Sequence, residues 1–181
     1  KVLALYMTLF FAVFSLTPVF GADMSIDMLN KRDDGAKMVY SEDIARIDLG
    51  DTITWNPKSK GHNVHFIAGP EGWELPKKSK NNKEVSITFD TPGIYLYQCT
   101  PHASMGMIAL VVVGDDTSNL DAIAGYKARG KSKKKLKKCY VFLWTKTILD
   151  TRFFRTTTSV SYLRSIRINH HFCVSSVDCT N

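Results

Sequence analysis

Between Asp23 and Val113 the chain runs in short stretches of Val, Ile, Thr, Tyr and Phe, several of them alternating apolar with polar positions. Such runs, bounded by turn residues, predict strands. They fall at Ile26–Leu29, Lys37–Tyr40, Ile44–Leu49, Thr52–Trp55, Asn63–Ile67, Val85–Phe89, Tyr95–Cys99 and Ile108–Val113. Asp34-Gly35, Gly50-Asp51, Asn56-Pro57, Gly69-Pro70, Asn81-Asn82, Pro92-Gly93 and Gly114-Asp115 break them, and Glu71–Lys80 reads as a longer crossing loop. About eight short strands at this spacing predict an all-β, antiparallel sandwich with Greek-key connections over residues 22–116. From Thr117 the period changes. Ser118 can cap a helix, and Leu120, Ile123, Ala124 and Lys127 recur at helical spacing, so one helix is expected from about Asn119 into the Lys-rich stretch ending at residue 138, weakened by Gly125 and Gly130.

The two ends read differently from this body. Val2–Phe20 is apolar apart from Thr8, Ser15, Thr17 and Pro18, follows Lys1, and ends in Val19-Phe20-Gly21. Residues 1–21 therefore read as an export signal cut after Gly21. A membrane anchor is the alternative, but a span needs about 20 apolar residues and Pro18 interrupts this one. Residues 139–181 contain no Ala, Gly, Pro, Glu, Gln or Met, and 12 Ser or Thr. Neither a helical nor a strand period persists there. This composition predicts an atypical tail, poorly ordered or translated out of frame, with no function assigned to it.

Charge changes the picture less than the net value of +7 suggests. Ala22–Gly125 holds 10 Lys and Arg against 15 Asp and Glu, whereas Tyr126–Lys138 holds 8 basic residues and no acid. The basicity is C-terminal, which weakens a nucleic-acid reading, since such binders interleave basic and aromatic residues on a folded face. Of four cysteines only Cys99 lies in the body, so no disulfide can form within it. A lone thiol in an exported, oxidising setting points first to metal ligation.

The candidate chemistry is concentrated in Cys99-Thr100-Pro101-His102-Ala103-Ser104-Met105-Gly106-Met107, between two predicted strands, with Gly61-His62-Asn63-Val64 opening another. A thiolate, two imidazoles and a thioether form a soft donor set that suits copper: Cu(I) accepts thiolate and thioether, and Cu(II) accepts imidazole. Zinc is the nearest rival, yet it wants four N, S or O donors and thioether is a poor one. A nucleophilic Cys99 assisted by His102 lacks an orienting third residue. His65 faces away from Val64 and is expected in solvent.

These residues resemble the pseudoazurins, a family of blue-copper cupredoxins. The likeness rests on the Cys99–Met107 loop and Gly61–Val64, with support from Asp27–Lys31, Gly50–Thr54, Lys78–Lys80 and Asn119-Leu120, and spans about residues 22–138. It implies a cupredoxin-like sandwich of about eight strands with a C-terminal helical extension, and a monomeric periplasmic electron carrier that is not an enzyme. It implies one copper ion held by His62, Cys99, His102 and Met107, with Asn63 bracing the Cys99 loop. Gln98 stands where the family usually has Lys, Ala103 where an aromatic often follows, and the odd tail where a second C-terminal helix is usual.

The implied partners are redox proteins: copper nitrite reductase, a c-type cytochrome or a terminal oxidase. Electron carriers dock through a small apolar patch ringed by charge. Met105 and, by resemblance, Met38 are the apolar candidates, and Lys31, Lys58, Lys60, Lys77, Lys78 and Lys80 the ring. No nucleic-acid contact is expected, nor a membrane span in the mature protein. A periplasmic copper carrier or chaperone remains the alternative function, and an oxidase or reductase domain would need further ligands that the sequence does not offer.

Overall fold

The computed structural model describes residues 21–156; the expected export signal, apart from Gly21, and residues 157–181 lie outside them. Among the described residues eight strands form two four-stranded sheets. They are β1 (Asp23–Lys31), β2 (Lys37–Tyr40), β3 (Ile44–Ile47), β4 (Thr52–Asn56), β5 (His65–Ala68), β6 (Val85–Thr88), β7 (Gly93–Gln98) and β8 (Ile108–Val113). One sheet has the order β2-β1-β4-β6 and the other β3-β8-β7-β5. The expected sandwich is present, but it is not wholly antiparallel. β1 runs parallel to β4, with Ile26 opposite Trp55, and β3 runs parallel to β8, with Ile44 opposite Leu110. Local alternation reports which face a residue takes and says nothing about strand direction.

The core between the sheets is aromatic. Trp55 is fully buried, and its ring meets Phe66, Phe89 and Tyr97 edge-on. Cys99 and Met107 belong to this same cluster. Strands β7 and β8 are buried on both faces, hence their continuous apolar sequence. Tyr95, Tyr97, Val111 and Val113 point between the sheets, whereas Ile94, Leu96, Ile108, Leu110 and Val112 lie under a helical layer.

That layer consists of α1 (Leu120–Ala124) and α2 (Lys131–Thr156), not one helix. Gly125 caps α1, with its N–H on the Asp121 carbonyl. α2 then runs unbroken past Lys138, where composition places a boundary. Ser132, Leu136, Cys139 and Leu143 form its buried stripe at helical spacing. Val141, Phe142, Trp144 and Leu149 are exposed on other faces of the helix. They blur the period, and this is why the sequence from Cys139 looks patternless. A second C-terminal helix thus covers Lys131–Thr156, including the first part of the stretch from Cys139 whose composition predicts a tail. No helix among the described residues is long and apolar enough to cross a membrane.

Candidate metal centre

The β7–β8 hairpin delivers one end of the site. Antiparallel pairing brings Gln98 opposite Ile108, and the next pair closes the loop: Cys99 N–H donates to the Met107 carbonyl at 2.9 Å. Thr100–His102 forms a 3-10 turn with Pro101 in its first positions, where a fixed φ and a missing N–H suit the geometry. The His102 carbonyl then accepts N–H bonds from Met105 at 2.9 Å and Met107 at 3.3 Å. Gly106 sits at φ +111, a left-handed value that favours glycine, and turns the chain into Met107.

His62 arrives from the segment before β5. It stands outside any ladder and is held by side chains and turns. Its carbonyl accepts the Asn82 N–H at 2.9 Å, and Ser79 Oγ accepts the Val64 N–H at 2.9 Å. These bonds replace sheet pairing, so β5 starts at His65, two residues later than the pattern suggests.

The structure brings His62, Cys99 and His102 together: their ligating atoms all lie within 4.8 Å of one another. Nδ1 of His62 is 3.7 Å from Cys99 Sγ, and Nδ1 of His102 is 3.4 Å from it. His62 and Cys99 are buried, and His102 is partly exposed. Met107, fully buried, packs in the same core cluster across the hairpin from Cys99. His65 is half-buried with an unpartnered Nδ1, not free in solvent, and it stands outside the group. His170 and His171 lie outside the described residues.

Surrounding groups hold this arrangement. Nε2 of His62 is 2.8 Å from Asn30 Oδ1. An amide oxygen there accepts a hydrogen bond from the Nε2–H, so Nδ1 presents its lone pair towards the sulfur. Sequence reasoning missed Asn30, because it stands 32 residues away. Asn63 Oδ1 accepts the Thr100 N–H at 2.8 Å, the bracing of the Cys99 loop that the resemblance implied. The Tyr40 hydroxyl in turn donates to the Asn63 carbonyl at 2.9 Å. Burial, and then the neighbouring His102, hold the His62 imidazole below its usual pKa. Burial pushes the Cys99 thiol up, while backbone bonds from Asn63 and His102 oppose this.

The donor set fits copper: one buried thiol between two imidazole nitrogens, with the His62 ring oriented by Asn30. The comparisons agree with that chemistry. The sequence profile of the copper-binding plastocyanin/azurin family matches residues 26–114. A putative pseudoazurin of Rhizobium leguminosarum bv. viciae is 42% identical over 125 residues, which are 67% of this chain and 80% of that protein. The chain belongs to the pseudoazurin family. The pseudoazurin of Paracoccus pantotrophus is likewise 42% identical, over 66% of this chain and 82% of its own. Among solved structures, a Sinorhizobium pseudoazurin superimposes with a TM-score of 0.62 at 43% identity, covering 66% of this chain and 94% of that one. The pseudoazurin of Methylobacterium extorquens gives 0.62 at 36% identity, covering 67% and 98%. As a pseudoazurin-family cupredoxin the chain is a blue-copper electron-transfer protein, and not an enzyme.

Proposed function

We propose that the chain is a periplasmic carrier that holds one copper ion on His62, Cys99, His102 and Met107 and passes single electrons to an acidic redox protein. The observation that carries this reading is the placement of two Nδ1 atoms, 3.7 and 3.4 Å from one buried sulfur. Copper there supplies a one-electron Cu(II)/Cu(I) couple. His62, Cys99 and Met107 line the dry side of the site, and their burial keeps water from the sulfur. Asn30 and Asn63 fix the His62 ring and the Cys99 loop, so little has to move when the electron count changes.

His102 is the partly exposed member of the set and gives the electron its way out. Beside it Met105 is 47% exposed and supplies the apolar contact, with Met38 half-buried on β2. Lys60 precedes Gly61, whose Cα neighbourhood lies against the His102 ring, and Lys78 precedes Ser79, which anchors Val64. Both lysines are exposed. A positive rim of this kind suits an acidic partner such as copper nitrite reductase, a c-type cytochrome or a terminal oxidase. The apolar stretch up to Phe20 supports export to the periplasm.

Voltammetry of Met107→Gln tests the ligand assignment. The variant is expected to keep its copper and cycle one electron at an altered potential, since a thioether would be a weak donor that tunes the site without holding it. Complete loss of copper would remove Met107 from that role.

A further inference from the structure

The loop between His102 and Met107 is joined to the C-terminal helix. Ser132 Oγ donates to the Ala103 carbonyl at 2.5 Å, and the Lys131 N–H donates to the Ser104 carbonyl at 2.9 Å. Ser132 is 1% exposed and 29 residues from its acceptor. Its hydroxyl reaches across to the loop, not back to its own helix. Gly130 permits the approach: it has φ +56, and a Cβ there would overlap the Ser104 carbonyl oxygen. A Cβ on Gly106 would stand 3.6 Å from that of Lys131. The start of α2 therefore lies against the residues that separate two ligands.

The rest of α2 is anchored independently. Leu136, Cys139 and Leu143 pack with Ile94, Leu96, Ile108, Leu110 and Val112 of the outer sheet face. Lys135 pairs with Asp43, which also pairs with Arg32 at 3.1 Å. Near the other end, the Thr147 and Thr117 hydroxyls are 3.2 Å apart. A helix fixed along its length is rigid, and Ser132 is the side chain through which that rigidity reaches the loop.

We propose that Ser132 is a positioning residue for the metal loop, holding Ala103 and so the spacing of His102 and Met107. The idea rests on the copper reading given above, but the order of the loop can be read without copper. The first measurement is therefore amide hydrogen exchange on the metal-free chain. In Ser132→Ala the amides of Met105, Met107 and Lys131 should exchange about tenfold faster, the scale of one lost buried hydrogen bond. Ladder amides within β8 should be unchanged. After loading with copper, Ser132→Ala and Gly130→Ala should each shift the visible thiolate band and the reduction potential. Ile53→Val is the comparison: it removes a buried carbon from the sheet that α2 does not cover, so it should lower stability and leave loop exchange and the band in place. Unchanged loop exchange in Ser132→Ala, or an equal band shift in Ile53→Val, would overturn the proposal. If the wild type fails to take up copper, the exchange result still decides the role of Ser132, and the copper reading fails separately.

Discussion

Asn30 Oδ1 lies 2.8 Å from Nε2 of His62, and this contact directs the opposite ring nitrogen at Cys99 Sγ, 3.7 Å away. A ring that could rotate freely would offer either nitrogen, or neither. Replacing Asn30 with Ala is therefore expected to weaken Cu(II) binding by about 10–100-fold, the usual cost of losing a hydrogen bond behind a ligating histidine. Competition against a chelator of known affinity measures this, and Asn30→Asp, which keeps an acceptor, should recover most of it.

Asn63 acts on the other side of the sulfur. Its side chain is bonded to the Thr100 N–H and stands within 3.4 Å of both Thr100 Oγ1 and the Ser79 carbonyl. Asn63→Leu removes the acceptor of this part-buried bond, at a cost of about 0.5–1.5 kcal/mol. Chemical denaturation should report the loss, and a broadened thiolate band in the copper-loaded variant should accompany it.

Leu143 is fully buried where α2 crosses the outer face of the second sheet. Leu143→Ala should destabilise the full chain by about 2–5 kcal/mol, as for other buried leucines. Exposed Leu149 is the comparison, and its replacement should change stability by no more than about 0.5 kcal/mol. Equal and negligible effects would mean that α2 does not pack past Lys138.

Local charge, not net charge, should govern encounter with a partner. The body is acidic overall, but screening confines exposed charges to about 8–10 Å at physiological salt. Reversing Lys60 and Lys78 to Glu should slow association with copper nitrite reductase about tenfold at low ionic strength and flatten the salt dependence. Lys146 is the control. It lies 15 residues along α2 from Lys131, about 22 Å at 1.5 Å per residue, beside Asp48, Asp51 and Asp115. An equal effect of Lys146→Glu would place the docking face elsewhere.

Most of this centre could be read in the sequence because three of its four proposed ligands come from one nine-residue hairpin. Strands such as Lys37–Tyr40 and Ile108–Val113 were equally legible, since composition and turn residues define them locally. Other features depend on distant parts of the chain. The parallel pairings of β1 with β4 and β3 with β8 are settled by how whole sheets stack. Asn30 faces His62 only after β1 has packed, and Ser132 reaches Ala103 only after α2 has docked. The course of α2 beyond Lys138 was obscured because Val141, Phe142 and Trp144 add apolar residues outside its buried stripe.

The most direct test of the account is the visible spectrum of the full chain after addition of one equivalent of Cu(II). A thiolate bound with two imidazoles should give an intense blue charge-transfer band, and Cys99→Ser should abolish it. A colourless copper complex of the wild-type protein, or a blue band that survives Cys99→Ser, would contradict the assignment of Cys99 and with it the electron-transfer site.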